Sequence, residues 1–529
     1  MRKRKLLARL RSGYGQIPEP MYFSGDMDYI RAYYDYRRDH GRDGFLIDEI
    51  TWNDLGLDHL FRRINPMRCT SGEQYLYYML RSPVLDRGSY EARRGLIRFA
   101  QEDQERRLKV EYILARLGCT RRADLCRAFA PSHHGVGLLL AYLALLAGLI
   151  ASVVGAVLQL RWGFLCLFLS LVVNAMVHEF GRRRSQREYD TVNYVVNMVF
   201  AVHRLRRLHD NELDGHLGAA YESLDRLRAV IRTGGVSTVM DNDSLGDALT
   251  TVTLLDLITF EFLKNKLGRC HEDVFTIHEY LGRLDAAISI ASYRASLGSG
   301  WVEPELDFGG GAAEISAKGL VHPLLDDPVA NDLVTGRPIL ITGSNASGKS
   351  TYLRTAALAA LMAQSICTVT AESYRAGAFR IYSSMALRDD LLAGESYYIV
   401  ETRSLKRILD AARQDGRLLC VVDEVLRGTN TVERIAASSE VLRALADAGA
   451  LCLAATHDIE LCGLLEDRYR LYHFEEEVGE EEMRFDYRIR EGRATSRNAI
   501  DLLRLMGFDR TIVENAHARA DRYLETGTW

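Results

Sequence analysis

Apolar residues along this chain follow three successive patterns. Between Phe45 and Phe129 they recur at helical spacing, as in Leu76, Leu80, Leu96 and Ile97, with polar positions between them. This predicts a helical domain over residues 45–130. From Val136 to Leu158 about 23 residues carry no charge, enough to cross a bilayer at helical rise. A second run, Trp162 to Val177, is shorter and is broken only by Asn174. Gln159 to Arg161 between them leaves room for a tight turn and nothing more, so residues 136–177 read as a two-helix transmembrane hairpin. Arg121, Arg122 and Arg127 before it, and Arg182, Arg183, Arg184 and Arg187 after it, place both flanks on the cytoplasmic side. Arg161 then belongs at the far interface, where a long side chain reaches water. A buried hairpin inside a soluble helical core is the competing reading, because the second run is short.

Residues 185–308 return to helical spacing. VNYVVNMVFAVHRLRRL and DALTTVTLLDLITFEFLKNKL are long stretches, with breaks expected at Gly215, Gly234–Gly235 and Gly268. Helices of that length suggest levers or arms. Gly309 to Gly311 then introduces short β-like runs alternating with helices, an α/β domain over residues 309–490. The last segment, 491–529, reads as two helices across Gly507. The first, residues 1–44, opens on the basic MRKRKLLARLRSGYGQ, with no apolar stretch or cleavage site of a secretory signal. Its Lys3, Arg4, Lys5, Arg9 and Arg11 suit anionic lipid or DNA phosphate, or simply a solvated tail.

Composition adds two exclusions. With 529 residues, 47% hydrophobic and 26% charged, the chain is an ordinary folded one of two to four units. A formal charge of -4 rules out a surface that is cationic all over, so any nucleic-acid contact must come from local patches. The nine cysteines form no CxxC pair and no His cluster at zinc spacing, which fits reduced thiols in the cytosol.

The candidate chemistry lies in the α/β region. PILITGSNASGKST places an apolar strand, Ile339 to Thr342, before a Gly-rich turn and a helix, and Gly343 to Ser350 fits GxxxxGK[ST]. Such a turn lets backbone N–H groups and the helix N-terminus approach phosphates. Lys349 neutralises the β and γ phosphates and Ser350 offers a hydroxyl to Mg²⁺. RLLCVVDE, Arg417 to Glu424, is a strand ending in two carboxylates. That suits Asp423 to hold Mg²⁺ and Glu424 to polarise an attacking water. LCLAATHD, Leu451 to Asp458, ends a further strand in Thr456 and His457, where an imidazole can meet a γ-phosphate.

In their order and spacing these segments resemble the ATPase domain of the MutS mismatch-repair family, a branch of the ABC ATPases. VANDLVTGRPILITGSNASGKSTYLR is similar to its ANxL…ITGPNxxGKST segment, RDDLLAGESYYIVE (Arg388 to Glu401) to DDLxxGxSTFxVE, DEVLRGTNT to DEIGRGTST, and ATHDIEL to ATHxxEL. Upstream, FLIDEITWNDL, LFRRINPMRCTSGEQYLYYMLRSPVLD, YLGRLDAAISIASYRA and VHPLL resemble the family's helical core and its connection to the ATPase. The resemblance implies an α/β P-loop (ABC-type) ATPase domain plus an all-α core and lever domain, here interrupted by the hairpin. It implies ATP and Mg²⁺ as ligands. Gly343, Asn345, Gly348, Lys349, Ser350, Thr351 and Ser396 would bind nucleotide, Ser350 and Asp423 would hold the metal, and Glu424 and His457 would be catalytic.

Ser396 corresponds to the signature serine that completes a partner subunit's site, so the resemblance implies a homodimer around two ATPs. Hydrolysis would then open the sandwich and swing the helical arms. In the family a segment like 491–529 supports dimer contacts; helices merely packed on the ATPase are the other reading. DNA is the implied partner, with His203 to His209 (HRLRRLH) as a contact strip or a solvated face. The alternative is a membrane-associated scaffold whose arms bind protein or lipid. Three departures stand out. About 45 residues precede the core, without a Phe-x-Glu wedge, so the mismatch-recognition domain is expected to be missing. Pro328 stands where the family has an aromatic that stacks on adenine, and Leu426 replaces a Gly after the Asp–Glu pair.

Overall fold

Runs of Leu, Ile, Val and Ala without polar alternation mark strands covered on both faces, and in the computed structural model all the described strands gather in one of two compact units. The structure describes the chain apart from residues 1, 19–21, 23–24, 42–43, 67, 121–122, 129–136, 234–250, 312, 345–346, 386–396, 415, 479–482, 494–499, 501–502, 505 and 528–529. One unit comprises Met1–Arg42, Ile64–Tyr78 and Gly95–Tyr293; the other comprises Asp43–Arg63, Met79–Arg94 and Arg294–Trp529. The boundary expected at 45 falls beside the division at 42/43, but the single helical domain expected over 45–130 is split, since residues 43–63 and 79–94 cluster with the strands.

In the mixed α/β unit the described strands form two sheets. The smaller has β1 (Glu305–Asp307), β2 (Ile315–Leu320), β3 (Asn331–Thr335) and β5 (Ser373–Gly377) in the order β1-β5-β2-β3. The larger has β4 (Ile339–Thr342), β6 (Arg380–Ser384), β7 (Leu418–Asp423), β8 (Leu451–Thr456), β9 (Arg470–Val478) and β10 (Met483–Glu491) in the order β10-β9-β4-β8-β7-β6. Strands β9, β4, β8, β7 and β6 run parallel, and β10 turns back antiparallel on β9. β4, β7 and β8 are buried at every position. Leu405 and Ile408 of the Tyr397–Ala412 helix, with Leu442 and Leu445 of the Thr431–Asp447 helix, share a core with Leu340, Cys420, Val422, Cys452 and Ala454. Asn430 caps the second of these helices by accepting from Glu433 N at 3.0 Å.

The early segment Glu49–Asp54 is a helix capped by Asp48, which accepts from Thr51 N at 2.8 Å. It packs on β6, where the buried Asp54 carboxylate accepts from Ser383 Oγ at 2.7 Å and Met385 N at 3.0 Å.

The other unit is helical among its described residues. Gly215 does not break it, lying inside the helix Asn211–Thr233, and Gly234–Gly235 fall outside the described residues; Gly268 lies in the last turn of Leu255–Arg269, two residues before a break at Cys270. Unexpected breaks come at His209 (φ 50°) and Leu254 (φ 57°), both left-handed. A helical glycine costs only about 1 kcal/mol, which neighbouring buried leucines such as Leu213, Leu217 and Leu267 outweigh.

Two consecutive helices, Gly137–Val157 and Gly163–Arg184, are long and apolar enough to cross a membrane. They pack on one another, and Gly163 sits so close that a Cβ there would lie 2.5 Å from Gly155 O. The first ends with Gln159 left-handed at φ 54°, its N–H bonded to Ala156 O and that of Leu160 to Gly155 O, a Schellman close. Phe164, Phe168, Met176 and Phe180 are exposed, the last at 71%.

Elsewhere in this unit Arg68 Nε pairs with Glu111 at 2.7 Å, and its Nη1 meets Asp285 at 3.3 Å, all three buried. Beside them His278, 0% exposed, has Nδ1 3.0 Å from Ser71 Oγ and Nε2 with no hydrogen-bond partner. Burial pushes its pKa down to about 3. Folding therefore holds it neutral, and its contribution to stability is full above the ordinary imidazole pKa of about 6.5 and is lost as pH falls from there towards 3. His278→Gln should make the loss of melting temperature between pH 7 and pH 5 shallower than in the parent chain. An unchanged slope in thermal scans across that range would show that another group governs acid sensitivity.

Candidate functional site

The parallel strands β4, β7 and β8 are in register at their carboxyl ends, Thr342 beside Thr456 and Asp423 beside Ala455. Whatever follows these strands emerges together at one edge of the sheet, the usual place for ligands in open α/β sheets. After β4 comes the Gly343–Ser350 loop and then the Lys349–Ile366 helix. Gly343 (φ 141°) and Gly348 (φ 104°) hold backbone that disfavours side chains. A Cβ would also lie 3.0 Å from Phe474 O at the first and 3.1 Å from Tyr487 Cδ1 at the second. Lys349 Nζ folds back onto the carbonyls of Gly343 and Ser344 at 2.7 and 2.5 Å. Its charge thus sits inside the loop. Asn345 and Ser396 lie outside the described residues.

At the end of β7, Asp423 is buried and accepts a hydrogen bond from Ser350 Oγ. A hydroxyl and a carboxylate side by side form an all-oxygen donor set suited to a hard cation such as Mg²⁺. Glu424 turns into the left-handed region at φ 55°, its N–H bonded to Ala455 O at 2.9 Å. Its two carboxylate oxygens pair separately with His457 Nε2 and Arg427 Nε. Burial works to raise the Glu424 pKa, but His457, Arg427 and Lys349 outweigh it and hold the carboxyl below its usual value. His457 Nδ1 lies 3.1 Å from Gly343 O, so the imidazole bridges the ends of β4 and β7. The structure thus brings Gly343, Lys349, Ser350, Asp423, Glu424 and His457 together. Gly348 and Thr351 lie on the adjoining side, facing a cavity.

That cavity, of about 290 Å³, is lined by His322, Pro328, Thr351, Tyr352, Phe474 and Tyr487 among others. Tyr487 stands at an irregularity in the β9–β10 pairing, left-handed at φ 52°. Asn331 clamps it from β3, donating to Tyr487 O at 2.9 Å and accepting from Ile489 N at 2.8 Å. Pro328 stands where the resemblance implies an aromatic, and Tyr487 brings one to the same cavity from a strand remote in sequence. No local pattern near the Gly-rich loop announces it; the signal is an aromatic pair, Phe485 and Tyr487, alternating with the charged Arg484, Asp486 and Arg488.

Two other residues were given no role by the motif reading, although Glu401 closes the RDDLLAGESYYIVE segment. Arg434 holds Asp458, next to His457, through two bonds of 2.9 and 2.7 Å. Glu401, buried, accepts from Leu426 N at 2.5 Å and Arg427 N at 3.1 Å. Leu426 itself is left-handed at φ 58°, a conformation in which glycine is the residue without strain. Its side chain is buried in the core beneath the sheet's helices, which offsets that strain.

Comparison with known proteins defines the class of this region. Residues 339–524 match the family model of MutS domain V, an ATPase-domain region. Half of the chain is 31% identical over 273 residues to the DNA mismatch repair protein MutS of Natronomonas pharaonis, covering 31% of that protein. Over 269 residues, 46% of the chain, it is 34% identical to the DNA mismatch repair protein MSH3 of Phaeosphaeria nodorum, covering 23% of it. A further match, 33% over 202 residues, is to MutS of Thermus thermophilus and spans 37% of this chain and 25% of that one. The matches thus span about a third or less of these relatives' length, and they support the MutS family for this chain.

The strain at Leu426 predicts the sign of a substitution. Leu426→Gly removes about 1–2 kcal/mol of left-handed strain but forfeits a buried side chain worth roughly 2–5 kcal/mol. Denaturant unfolding should therefore show a net loss of up to about 4 kcal/mol; a gain in stability would mean that strain outweighs packing at this turn.

Proposed function

We propose that this chain is a membrane-anchored, MutS-like ATPase that works as a homodimer and binds DNA. The observation that carries the reading is the meeting of Lys349, Ser350, Asp423, Glu424 and His457 at the carboxyl edge of three parallel strands. Lys349 exchanges the carbonyls of Gly343 and Ser344 for phosphate oxygens when ATP enters. Ser350 and Asp423 hold Mg²⁺, which neutralises charge on the triphosphate when bound. Glu424, kept ionised, orients and polarises the attacking water, and His457 stands where it can contact the γ-phosphate. Tyr487 gives the adenine a face to stack on, in place of the aromatic missing at Pro328.

Asn345, Thr351 and Ser396 complete the nucleotide site, Ser396 from the second copy. The DNA reading is supported by the relatives, whose names mark them as DNA mismatch repair proteins. Arg204 and Arg207, exposed at the end of the Gln186–Arg206 helix, are candidate phosphate contacts; Arg206 is instead paired with Asp225 at 2.9 Å. The two apolar helices support the anchor.

Lys349→Ala should weaken ATP binding, whereas Glu424→Gln should bind ATP, accumulate the closed dimer and fail to turn over. Equal steady-state turnover in Glu424→Gln and the parent would remove Glu424 from its role. Tyr487→Ala should lower ATP affinity by roughly tenfold while leaving tripolyphosphate affinity unchanged; equal loss for both ligands in titration calorimetry would count against stacking. Duplex, mismatched and branched DNA should bind at low salt, lose affinity as salt rises, and change ATP turnover. If none binds and none changes hydrolysis, the scaffold reading replaces the DNA one.

A further inference from the structure

The apolar helix Gly163–Arg184 carries two buried polar side chains that an anchor alone does not need. Asn174 is 1% exposed and donates from Nδ2 to Val252 O at 2.8 Å. One turn later His178, also buried, has Nε2 2.8 Å from Asp256 Oδ2. One turn further, a Cβ on Gly181 would lie 3.2 Å from Leu257 Cδ1 and 3.1 Å from Tyr142 OH. Tyr142, Leu254 and Leu257 form a small core with Leu145, Val177 and Ile258. The segment from Val252 to Ile258 is therefore laid alongside both apolar helices, with Val252 at the level of Asn174 and Leu257 at that of Gly181.

Depth follows from the helix. The first charge on its outward face towards the arginines is Glu179, paired with Arg183 at 2.6 Å. Asn174 precedes it by five residues, roughly 7.5 Å along the axis. Val252 then lies that far inside the hydrocarbon boundary, in the leaflet nearer the arginines. Backbone that leaves a helix at such a depth must find partners within the protein. The chain does leave one here: Leu254 is left-handed at φ 57°, and a new helix starts at Leu255. Asn174 supplies the partner for Val252 O, and Asp256, the one ionisable residue of 251–258, is paired with His178 and accepts from Leu257 N at 2.8 Å. Leu255, 44% exposed, lies between the levels of Asn174 and His178, inside Glu179 and near the level of the exposed Met176.

We propose that residues 251–255 are a third membrane-embedded element, a helix break that dips into the near leaflet against the two apolar helices and presents Leu255 to lipid acyl chains. This inference rests on the membrane reading of those helices. Asn174 and His178 are its positioning residues, because they satisfy the interrupted backbone and the single carboxylate.

The test uses the full chain in lipid nanodiscs, with the partly exposed Cys119, Cys126, Cys166 and Cys270 changed to Ser. NBD is attached at Leu255→Cys, at Phe168→Cys on the apolar helix, and at Glu222→Cys on the exposed face of the Asn211–Thr233 helix. Brominated phosphatidylcholine should quench Leu255→Cys at least half as strongly as Phe168→Cys and leave Glu222→Cys unquenched. Quenching at Phe168→Cys with none at Leu255→Cys would overturn the inference and leave the anchor standing. Absence of quenching at both would overturn the membrane reading and the inference with it.

Discussion

The alignment of β4, β7 and β8 is the constraint on which the site depends. Parallel strands in register deliver their carboxyl-terminal neighbours to one line, so Gly343, Asp423 and His457 meet without any long-range polar design. Because side chains alternate across a strand, a slip of β7 by one residue would turn Asp423 away from Ser350 and bury Glu424 in its place. What prevents the slip is apolar: every position of the three strands is covered, and Cys420, Val422, Cys452 and Ala454 interlock with the helices Tyr397–Ala412 and Thr431–Asp447. Polar chemistry at the edge is positioned by packing in the middle.

Beyond the strand the backbone has to turn sharply, and there the control passes to hydrogen bonds. Glu424 and Leu426 both occupy left-handed conformations within three residues. Ala455 O holds the first through its N–H, and Glu401 holds the second and its successor. Glu401 is itself raised towards neutrality by burial, while the N–H groups of Leu426 and Arg427 and the Arg427 guanidinium pull the other way. The turn and the Glu401 carboxylate thus stabilise each other: backbone donors make a buried charge tolerable, and that charge keeps a strained turn closed. Arg427 joins the two carboxylates, its N–H on Glu401 and its guanidinium on Glu424.

Much of this was legible before the fold. The Gly343–Ser350 loop, the Asp423–Glu424 pair and His457 stood out because each is a short motif closing an unbroken apolar run, and local sequence dictates such strand ends. The two uncharged runs were legible for the same reason, since composition alone sets their length. Long-range placement was not. Tyr487 reaches the cavity only because β10 folds back on β9 and Asn331 clamps the irregularity, a tertiary arrangement with no local code. Asp54 joins the strand-bearing unit through Ser383 and Met385, so that a segment with helical spacing lies on the sheet. One helix break was misread because glycine was given more weight than burial: Gly215 is carried inside its helix by its apolar neighbours, whereas Leu254 bends the chain.

Leu254 also bears on how a polar atom survives in an apolar helix. Asn174 and His178 interrupt a run that would otherwise be indifferent to its surroundings, and each costs free energy wherever water is absent unless a partner is supplied. Both partners come from one short stretch, Val252 and Asp256, with the left-handed residue between them. A straight helix through 254 would advance about 6 Å over the four residues from 252 to 256, the same rise that separates 174 from 178, and would keep its own carbonyls bonded. The break instead frees the Val252 carbonyl to accept from Asn174 while leaving Asp256 within reach of His178. The polar positions in the apolar helix and the bend in the neighbouring segment are thus two halves of one solution, and neither is stable alone in a medium that offers no hydrogen bonds.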